Sequence, residues 1–139
     1  MATSTPVAAR NQKVVRKTIT FAAGAGTGDV GTVAALTCTG TVWIKALNLH
    51  CTTNLAGASA TISLGISGDP EALIPYTTAT TIDAGMQWVD AVPSKVDQPI
   101  RDITVSDNLI FTIATAGITA GVIEIEVVFE SLSANGYLS

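Results

Sequence analysis

The side chains able to do acid–base or nucleophilic chemistry are few in this sequence and widely spaced. The chain contains one histidine, His50, and two cysteines, Cys38 and Cys51. His50 and Cys51 are consecutive in a segment typical of a β-strand, where neighbouring side chains point to opposite faces, so a Cys–His dyad is geometrically disfavoured. The two thiols also lack the C-x-x-C spacing of zinc and redox sites. We therefore expect two half-buried strand thiols.

Other patterns that could hold a cofactor, a metal or a substrate are equally weak. The stretch from Gly24 to Gly28 resembles a phosphate-binding loop, but it lacks the Lys-Ser/Thr pair and is not followed by a helical pattern, so it predicts a wide turn. The aspartates are dispersed without the spacing of a calcium loop. A polymer hydrolase would need paired carboxylates, and spacing assigns none. The sequence thus predicts no catalytic residue, no cofactor and no metal, and the chain is not expected to be an enzyme.

The charges are unevenly distributed. Four of the seven cations lie within eight residues, and no acid precedes Asp29. These four are Arg10, Lys13, Arg16 and Lys17. Residues 18–139 hold three cations and all eleven acids, a balance of 3 − 11 = −8. We interpret residues 1–17 as a flexible basic arm that becomes ordered against an acidic protein surface. Nucleic acid is an unlikely partner, because no aromatic residue is interleaved with the cations.

Period-2 alternation and β-branched residues dominate the rest of the chain, and no amphipathic helix is indicated. The candidate strands are residues 13–21, 32–38, 41–51, 59–66, 86–92, 100–105, 109–115 and 121–130. Residues 67–85 carry Gly, Pro and Asp turn signals and are interpreted as a long ordered connection. The fold prediction is all-β: a two-sheet antiparallel β-sandwich of jelly-roll or Greek-key type with about eight strands, an extended N-terminal arm and a single domain over residues 18–139. An immunoglobulin-like strand order remains open.

The strand faces identify the expected core. In the segment 41–51, one face carries Trp43, Leu47, Leu49 and Cys51. In the segment 121–130, a buried row of Ile123, Ile125, Val127 and Phe129 alternates with an outward row of Glu124, Glu126 and Glu130. Aromatic residues make up only 5% of the chain, so most large rings are expected in the core. Trp88 and Tyr76 are nevertheless candidates for a ligand surface, because exposed rings can stack on sugars.

The surface composition points to contacts with other proteins. Charged residues make up 13% of the chain, about half the usual share, while hydrophobic residues make up 47%. Because protein interfaces are depleted in Lys, Glu and Asp, we expect a homo-oligomer, with a trimer favoured. No apolar stretch is long enough to cross a bilayer, and the first ten residues lack the apolar core of a secretory signal. We therefore expect no membrane partner and synthesis in the cytoplasm.

Two long segments carry a resemblance to a known class of proteins. The sequences TFAAGAGTGDVGTVAALTCTGTV and CTTNLAGASATISLGISGDPEALIPYTTATTIDAGMQWVDA resemble small structural proteins encoded among the head and tail genes of tailed bacteriophages. The resemblance covers roughly residues 18–133. Its elements are a Gly-rich loop leading into Gly31 to Ala34, a strand pair from Cys51 to Gly65, and a segment from Thr77 to Asp90.

The resemblance implies a virion protein made in the host cytoplasm and supplies no active-site residues. One implied role is to decorate or cement the outer capsid surface through contacts with the major capsid protein or other virion proteins. The alternative is a receptor- or glycan-binding module of a head fibre or tail tip, with Trp88 near the binding surface.

Overall fold

A computed structural model of the chain describes residues 12–24, 26–96 and 98–139. Within these residues there is no helix long and apolar enough to cross a membrane. A 3₁₀ turn at Ala79–Thr81 accompanies ten strands. The strands are β1 Lys13–Thr20, β2 Gly31–Leu36, β3 Cys38–Thr39, β4 Val42–Ala56, β5 Thr61–Ile66, β6 Asp69–Thr78, β7 Ile100–Val105, β8 Leu109–Ala114, β9 Ala120–Ser131 and β10 Tyr137–Leu138.

Eight of these strands form two four-stranded sheets. Sheet A has the order β1-β9-β4-β7, sheet B has the order β2-β8-β5-β6, and β10 pairs separately with β3. All strand pairs are antiparallel. The buried side chains of both sheets form one hydrophobic cluster. The prediction of an all-β, two-sheet sandwich with about eight principal strands is therefore confirmed, while the jelly-roll or Greek-key subtype stays a prediction.

Aromatic rings fill the middle of this core. The Phe111 ring on β8 lies parallel to the Trp88 ring with 6.0 Å between centroids and meets the Phe21 ring edge-on at 5.6 Å. Trp88 also donates a hydrogen bond from Nε1 to Thr77 Oγ1 at 2.8 Å, which satisfies its buried N–H group. The predicted inward row of β9 is confirmed, since all four of its side chains are buried.

A β-bulge in β4 corrects the predicted arrangement of its faces. The register of β4 against β9 skips one residue at Lys45. Because a bulge shifts the alternation by one position, Val42 and Ile44 join Leu47 in the core, and Trp43 turns to the outer face, where it is only half-buried. The prediction that Trp43 shares a face with Leu47 was therefore wrong.

Two other segments also differ from expectation. Residues 67–85, predicted as a connection, contain β6, which is an edge strand of sheet B. Edge strands tolerate Pro70 and Pro75, which had suggested turns. Residues 86–92, predicted as a strand, form only isolated bridges at Gln87, one to His50 and one to Ser94.

The predicted N-terminal arm overlaps the sandwich. Arg10 and the rest of residues 1–11 lie outside the described residues, but Lys13, Arg16 and Lys17 belong to β1. The predicted boundary at residue 17 was wrong, because β1 pairs with β9 along an unbroken register that begins at Lys13. The β-branched residues of this segment favour a strand paired with β9, although its cations had suggested a free arm.

The glycine-rich segment after β1 is a turn, as predicted, and leads into a strand rather than a helix. Side-chain oxygens of Thr27 and Asp29 accept hydrogen bonds from the backbone N–H groups of Ala22 and Gly24 at 3.2 and 2.8 Å. The Gly28 carbonyl accepts a hydrogen bond from the Ile118 N–H group at 2.7 Å. This bond holds the turn against the β8–β9 connection.

The aromatic cluster generates a stability prediction. Replacing Phe111→Ala removes the ring that contacts both Trp88 and Phe21, and we expect a loss of about 3–5 kcal/mol in the free energy of unfolding, measured by urea denaturation. The Phe111→Leu variant keeps most of the volume and is expected to lose about 1–2 kcal/mol. Equal stabilities of the wild type and the Phe111→Ala variant would contradict the central place of this ring.

Candidate interaction surface

The outer face of sheet A carries both ion pairs found among the described residues. Strands β1, β9 and β4 place their outward side chains in cross-strand rows. The first row is Val14, Val128 and Ala46, the second is Arg16, Glu126 and Asn48, and the third is Thr18, Glu124 and His50. An apolar row thus lies beside two polar rows on one continuous surface.

The second row contains an ion pair. Arg16 Nε donates a hydrogen bond to Glu126 Oε2 at 2.6 Å. Both side chains are well exposed, at 76% and 47%, so solvent screening limits the contribution of the pair to less than about 1 kcal/mol. Arg16 therefore pairs with an acid on the neighbouring strand of the same chain, while its contact with an acidic partner protein stays a prediction.

A shallow groove of about 550 Å³ crosses the polar rows. Its lining residues are Arg16, Lys17, Thr18, Asn48, His50, Gln87, Glu124, Ile125 and Glu126. Cationic, anionic and neutral polar residues all line the groove. It therefore suits hydrogen bonding to a polar surface of a partner. Among the described residues, no three His, Cys, Asp or Glu side chains come close enough together to hold a metal ion.

At the other end of this face lies a buried carboxylate. Glu130 is only 4% exposed, and neither of its carboxylate oxygens accepts a hydrogen bond from any residue that the structure describes. Lys45 Nζ lies 3.3 Å from Glu130 Oε2 and 5.2 Å from the centre of the Trp43 ring. The sequence placed Glu130 correctly on the outward row, but its burial depends on the bulge that directs Lys45 and Trp43 to the same face.

Lys13 and Lys17 lie on the opposite, inward row of β1. They alternate with Val15 and Ile19, and both lysines are half-buried at the edge of the sandwich. Neither forms an ion pair with any of the residues that the structure describes. The structure therefore divides the predicted basic cluster between two faces of one strand.

The predicted ligand surface of Trp88 and Tyr76 is not formed. Trp88 is fully buried, so the prediction that its ring faces a ligand was wrong. Its partner Thr77 points inward from β6, and the adjacent Tyr76 points to the other side of the same strand, where it is half-buried. The two rings thus belong to different environments.

The thiols lie in strands, as predicted, with Cys38 half-buried and Cys51 fully buried. Burial raises the pKa of Cys51, and the nearby Asp83 raises it further; the Cys51 thiol donates a hydrogen bond to the Thr53 carbonyl at 3.0 Å. Burial and then Asp107 raise the pKa of Cys38. Both thiols are therefore protonated at neutral pH and poorly nucleophilic. His50 is exposed on the opposite face of β4 from Cys51.

The fold of this chain is similar to that of a protein chain of known structure. The chain resembles a chain of a solved structure described as the cyanophage Pam1 capsid asymmetric unit, with a TM-score of 0.52 and 15% sequence identity. The match covers 94% of this chain and 91% of that chain. The two chains share a fold over nearly their full lengths. No protein-family model matches the sequence, and no curated protein matches it.

The buried ion pair generates a second stability prediction. Replacing Lys45→Met leaves the Glu130 carboxylate buried without a cation, and we expect the free energy of unfolding to fall by about 3 kcal/mol in urea denaturation. The double variant Lys45→Met/Glu130→Met should recover most of this loss. Arg16→Met, which breaks the exposed pair, serves as the control and should cost less than about 1 kcal/mol. Similar losses from both single variants would contradict the burial of Glu130.

The raised pKa values of the thiols generate a third prediction. At pH 8, a disulfide reagent such as DTNB should modify Cys38 several-fold more slowly than a free cysteine and should modify Cys51 only after unfolding. The rate at Cys38 should increase as the pH rises above 8, because the raised pKa shifts thiolate formation to higher pH. Rapid reaction of both thiols in the native protein would contradict these environments.

Proposed function

We propose that this chain is a structural protein of a phage virion that decorates or cements the outer surface of the capsid. The observation that carries the proposal is the fold shared with a chain of a phage capsid asymmetric unit. The match extends over nearly all of both chains. The resemblance of two long sequence segments to small phage structural proteins supports the same role. The proposed partners are the major capsid protein or other virion proteins.

A structural role without substrate turnover is part of this proposal. It is supported by the dispersion of the few reactive side chains over separate environments. His50 faces the outer side of sheet A, Cys51 is buried in the core, and Cys38 lies in the small β3–β10 pair. The raised pKa values of both thiols further reduce their reactivity.

An exposed loop with apolar side chains, residues 89–96, supports binding to another protein. Val92 and Val96 in this loop are 75% and 58% exposed. The loop is nevertheless ordered, because Gln87 and Ser94 exchange two backbone hydrogen bonds of 2.7 and 3.0 Å. Asp90 Oδ1 accepts a hydrogen bond from the Val92 N–H group. An ordered loop that displays apolar side chains loses little conformational entropy when a partner covers it.

Assembly into a homo-oligomer, with a trimer favoured, completes the proposal. A charged fraction of 13% leaves much of the surface suited to contact with neutral surfaces of other copies. Once one copy of an oligomer is bound, the linked copies face their own binding sites at a high effective concentration. Interfaces that are weak individually can therefore give a high overall affinity.

The proposal predicts saturable binding to the outside of capsids. Particles purified from a phage that lacks this gene are mixed with the full recombinant chain and sedimented, and bound chains are counted by quantitative mass spectrometry. We expect saturation at a fixed number of chains per shell that is a multiple of three, with added density on the outer surface in cryo-electron microscopy. Absence of saturable binding, or density only inside the shell or on the tail, would contradict the proposed function.

Two variants in the same experiment locate the contacts. The Val92→Ser/Val96→Ser variant should bind about tenfold or more weakly with an unchanged melting temperature, because it removes exposed apolar area only. A deletion of residues 1–11 tests the arm without removing any residue of β1, whereas a deletion of residues 1–17 would remove five. Wild-type occupancy by both variants would place the contacts elsewhere on the chain.

A further inference from the structure

Three of the four edge strands of the sandwich carry features that prevent further strand pairing. The edges are β1 and β7 of sheet A and β2 and β6 of sheet B. Strand β6 contains Pro70 and Pro75, β7 contains Asp102 with a φ of 58°, and β2 has a break in its register between Ala34 and Leu36. Prolines and bulges are common ways of preventing an open edge from binding another chain.

Strand β1 has no proline, no bulge and no left-handed residue, and its protection against indiscriminate pairing comes from its inward lysines. Its eight residues pair with β9 in an unbroken register from Lys13 to Thr20, and the sequence KVVRKTIT contains no proline or glycine. In an antiparallel edge strand, every second residue directs its backbone N–H and C=O groups away from the partner strand. Among the described residues, no other segment pairs with this side of β1. The edge is therefore a regular, open template for one more strand.

The inward lysines determine which strand this edge can accept. Lys13 and Lys17 flank Val15 on the inward row and are half-buried without an ion pair in the described part of the chain. An added neutral or apolar strand would cover both ammonium groups without compensation, which is unfavourable. A strand with a carboxylate opposite each lysine would neutralise both charges. Arg16 contributes less selectivity, because it is already paired with Glu126.

We propose that the open edge of β1 binds an extended acidic segment of another protein as a fifth strand of sheet A. The register of β1 defines the segment: acidic residues four positions apart face Lys13 and Lys17, and an apolar residue midway between them faces Val15. The recognised pattern is acid–any–apolar–any–acid. This inference concerns a peptide-binding edge and stands whether or not the partner belongs to a capsid.

A second copy of β1 is disfavoured as the occupant. Two copies that extend one sheet about a two-fold axis can pair in registers centred on Val15, Arg16 or Lys17. The first register places Lys13 opposite Lys17, the second places Arg16 opposite Arg16, and the third places Lys17 opposite Lys17. Like charges directly opposite each other destabilise a strand pair. The same cations that attract an acidic strand therefore disfavour these self-pairings.

The test uses blocked, fluorescein-labelled peptides with the full chain. The acidic probe contains Thr-Glu-Thr-Val-Thr-Glu-Thr, and matched probes carry Gln or Lys in place of both Glu residues. In fluorescence anisotropy at low salt, we expect the acidic peptide to bind about tenfold or more tightly than the neutral one. Failure of the acidic peptide to bind, or equal binding of the acidic and neutral peptides, overturns the proposal.

Charge exchange tests the assigned lysines. In the Lys13→Glu/Lys17→Glu variant, the affinity for the acidic peptide should fall about tenfold or more, and the basic peptide should bind instead. Binding of the basic peptide also shows that the variant is folded. The control variant Lys95→Glu makes the same change at an exposed loop position and should leave both affinities unchanged. Unchanged preference in the double variant, or an equal change in the control, overturns the assignment.

Backbone methylation separates strand pairing from simple charge attraction. Two acidic peptides carry N-methyl groups on alternate residues, one set on each edge of the extended peptide. Strand addition predicts that methylation of the edge facing β1 abolishes binding, while methylation of the other edge preserves it. Equal binding of the two methylated peptides would indicate attraction without pairing and overturns the proposal.

Discussion

The sandwich depends on strand β9, which lies between β1 and β4 in sheet A and carries an apolar row on its inner face and an acidic row on its outer face. Its inward Ile, Val and Phe side chains are buried, and each contributes about 1.5–3 kcal/mol of burial free energy. Two of its three outward acids are paired with cations on the strands on either side. Arg16 of β1 pairs with Glu126, and Lys45 of β4 pairs with Glu130. One strand thus determines both the core and the placement of cations on its neighbours.

Period-2 alternation was sufficient to predict most of the fold from the sequence. Strands β8 and β9 each bury one regular row, so their existence and orientation followed from residue types alone. Strand β5 followed the alternation in sequence, but four consecutive residues of it, Ile62 to Gly65, are buried. The β4 faces did not, because a bulge at Lys45 changes the alternation in the middle of a strand and leaves no local signal. Strand β6 was missed because Pro70 and Pro75 indicate turns unless the strand is known to be an edge. That knowledge comes only from tertiary pairing.

The surface was less predictable, because its chemistry depends on register. The cluster of cations near the N-terminus was visible in the sequence, but Arg16 and Lys17 have different roles since they point to opposite faces of β1. Trp88 was named as a candidate ligand-binding ring, although the low aromatic content favoured the core for most large rings. Its stacking on Phe111 and its hydrogen bond to Thr77 place it in the core instead. Such contacts join residues far apart in the sequence and have no local pattern.

The compensation of charge along sheet A explains how a chain with few charges can still bind selectively. Glu126 and Glu130 are matched within the chain, so covering them would leave no new unpaired charge at the pairs they form. Lys13 and Lys17 are the ordered cations of β1 that remain unmatched, and they lie beside the regular open backbone edge. Apolar side chains such as Val92 supply contact area but discriminate weakly between partners. Selectivity must therefore come from unmatched charges, and we expect it to be sharpest where such charges and unpaired backbone groups lie side by side, along β1.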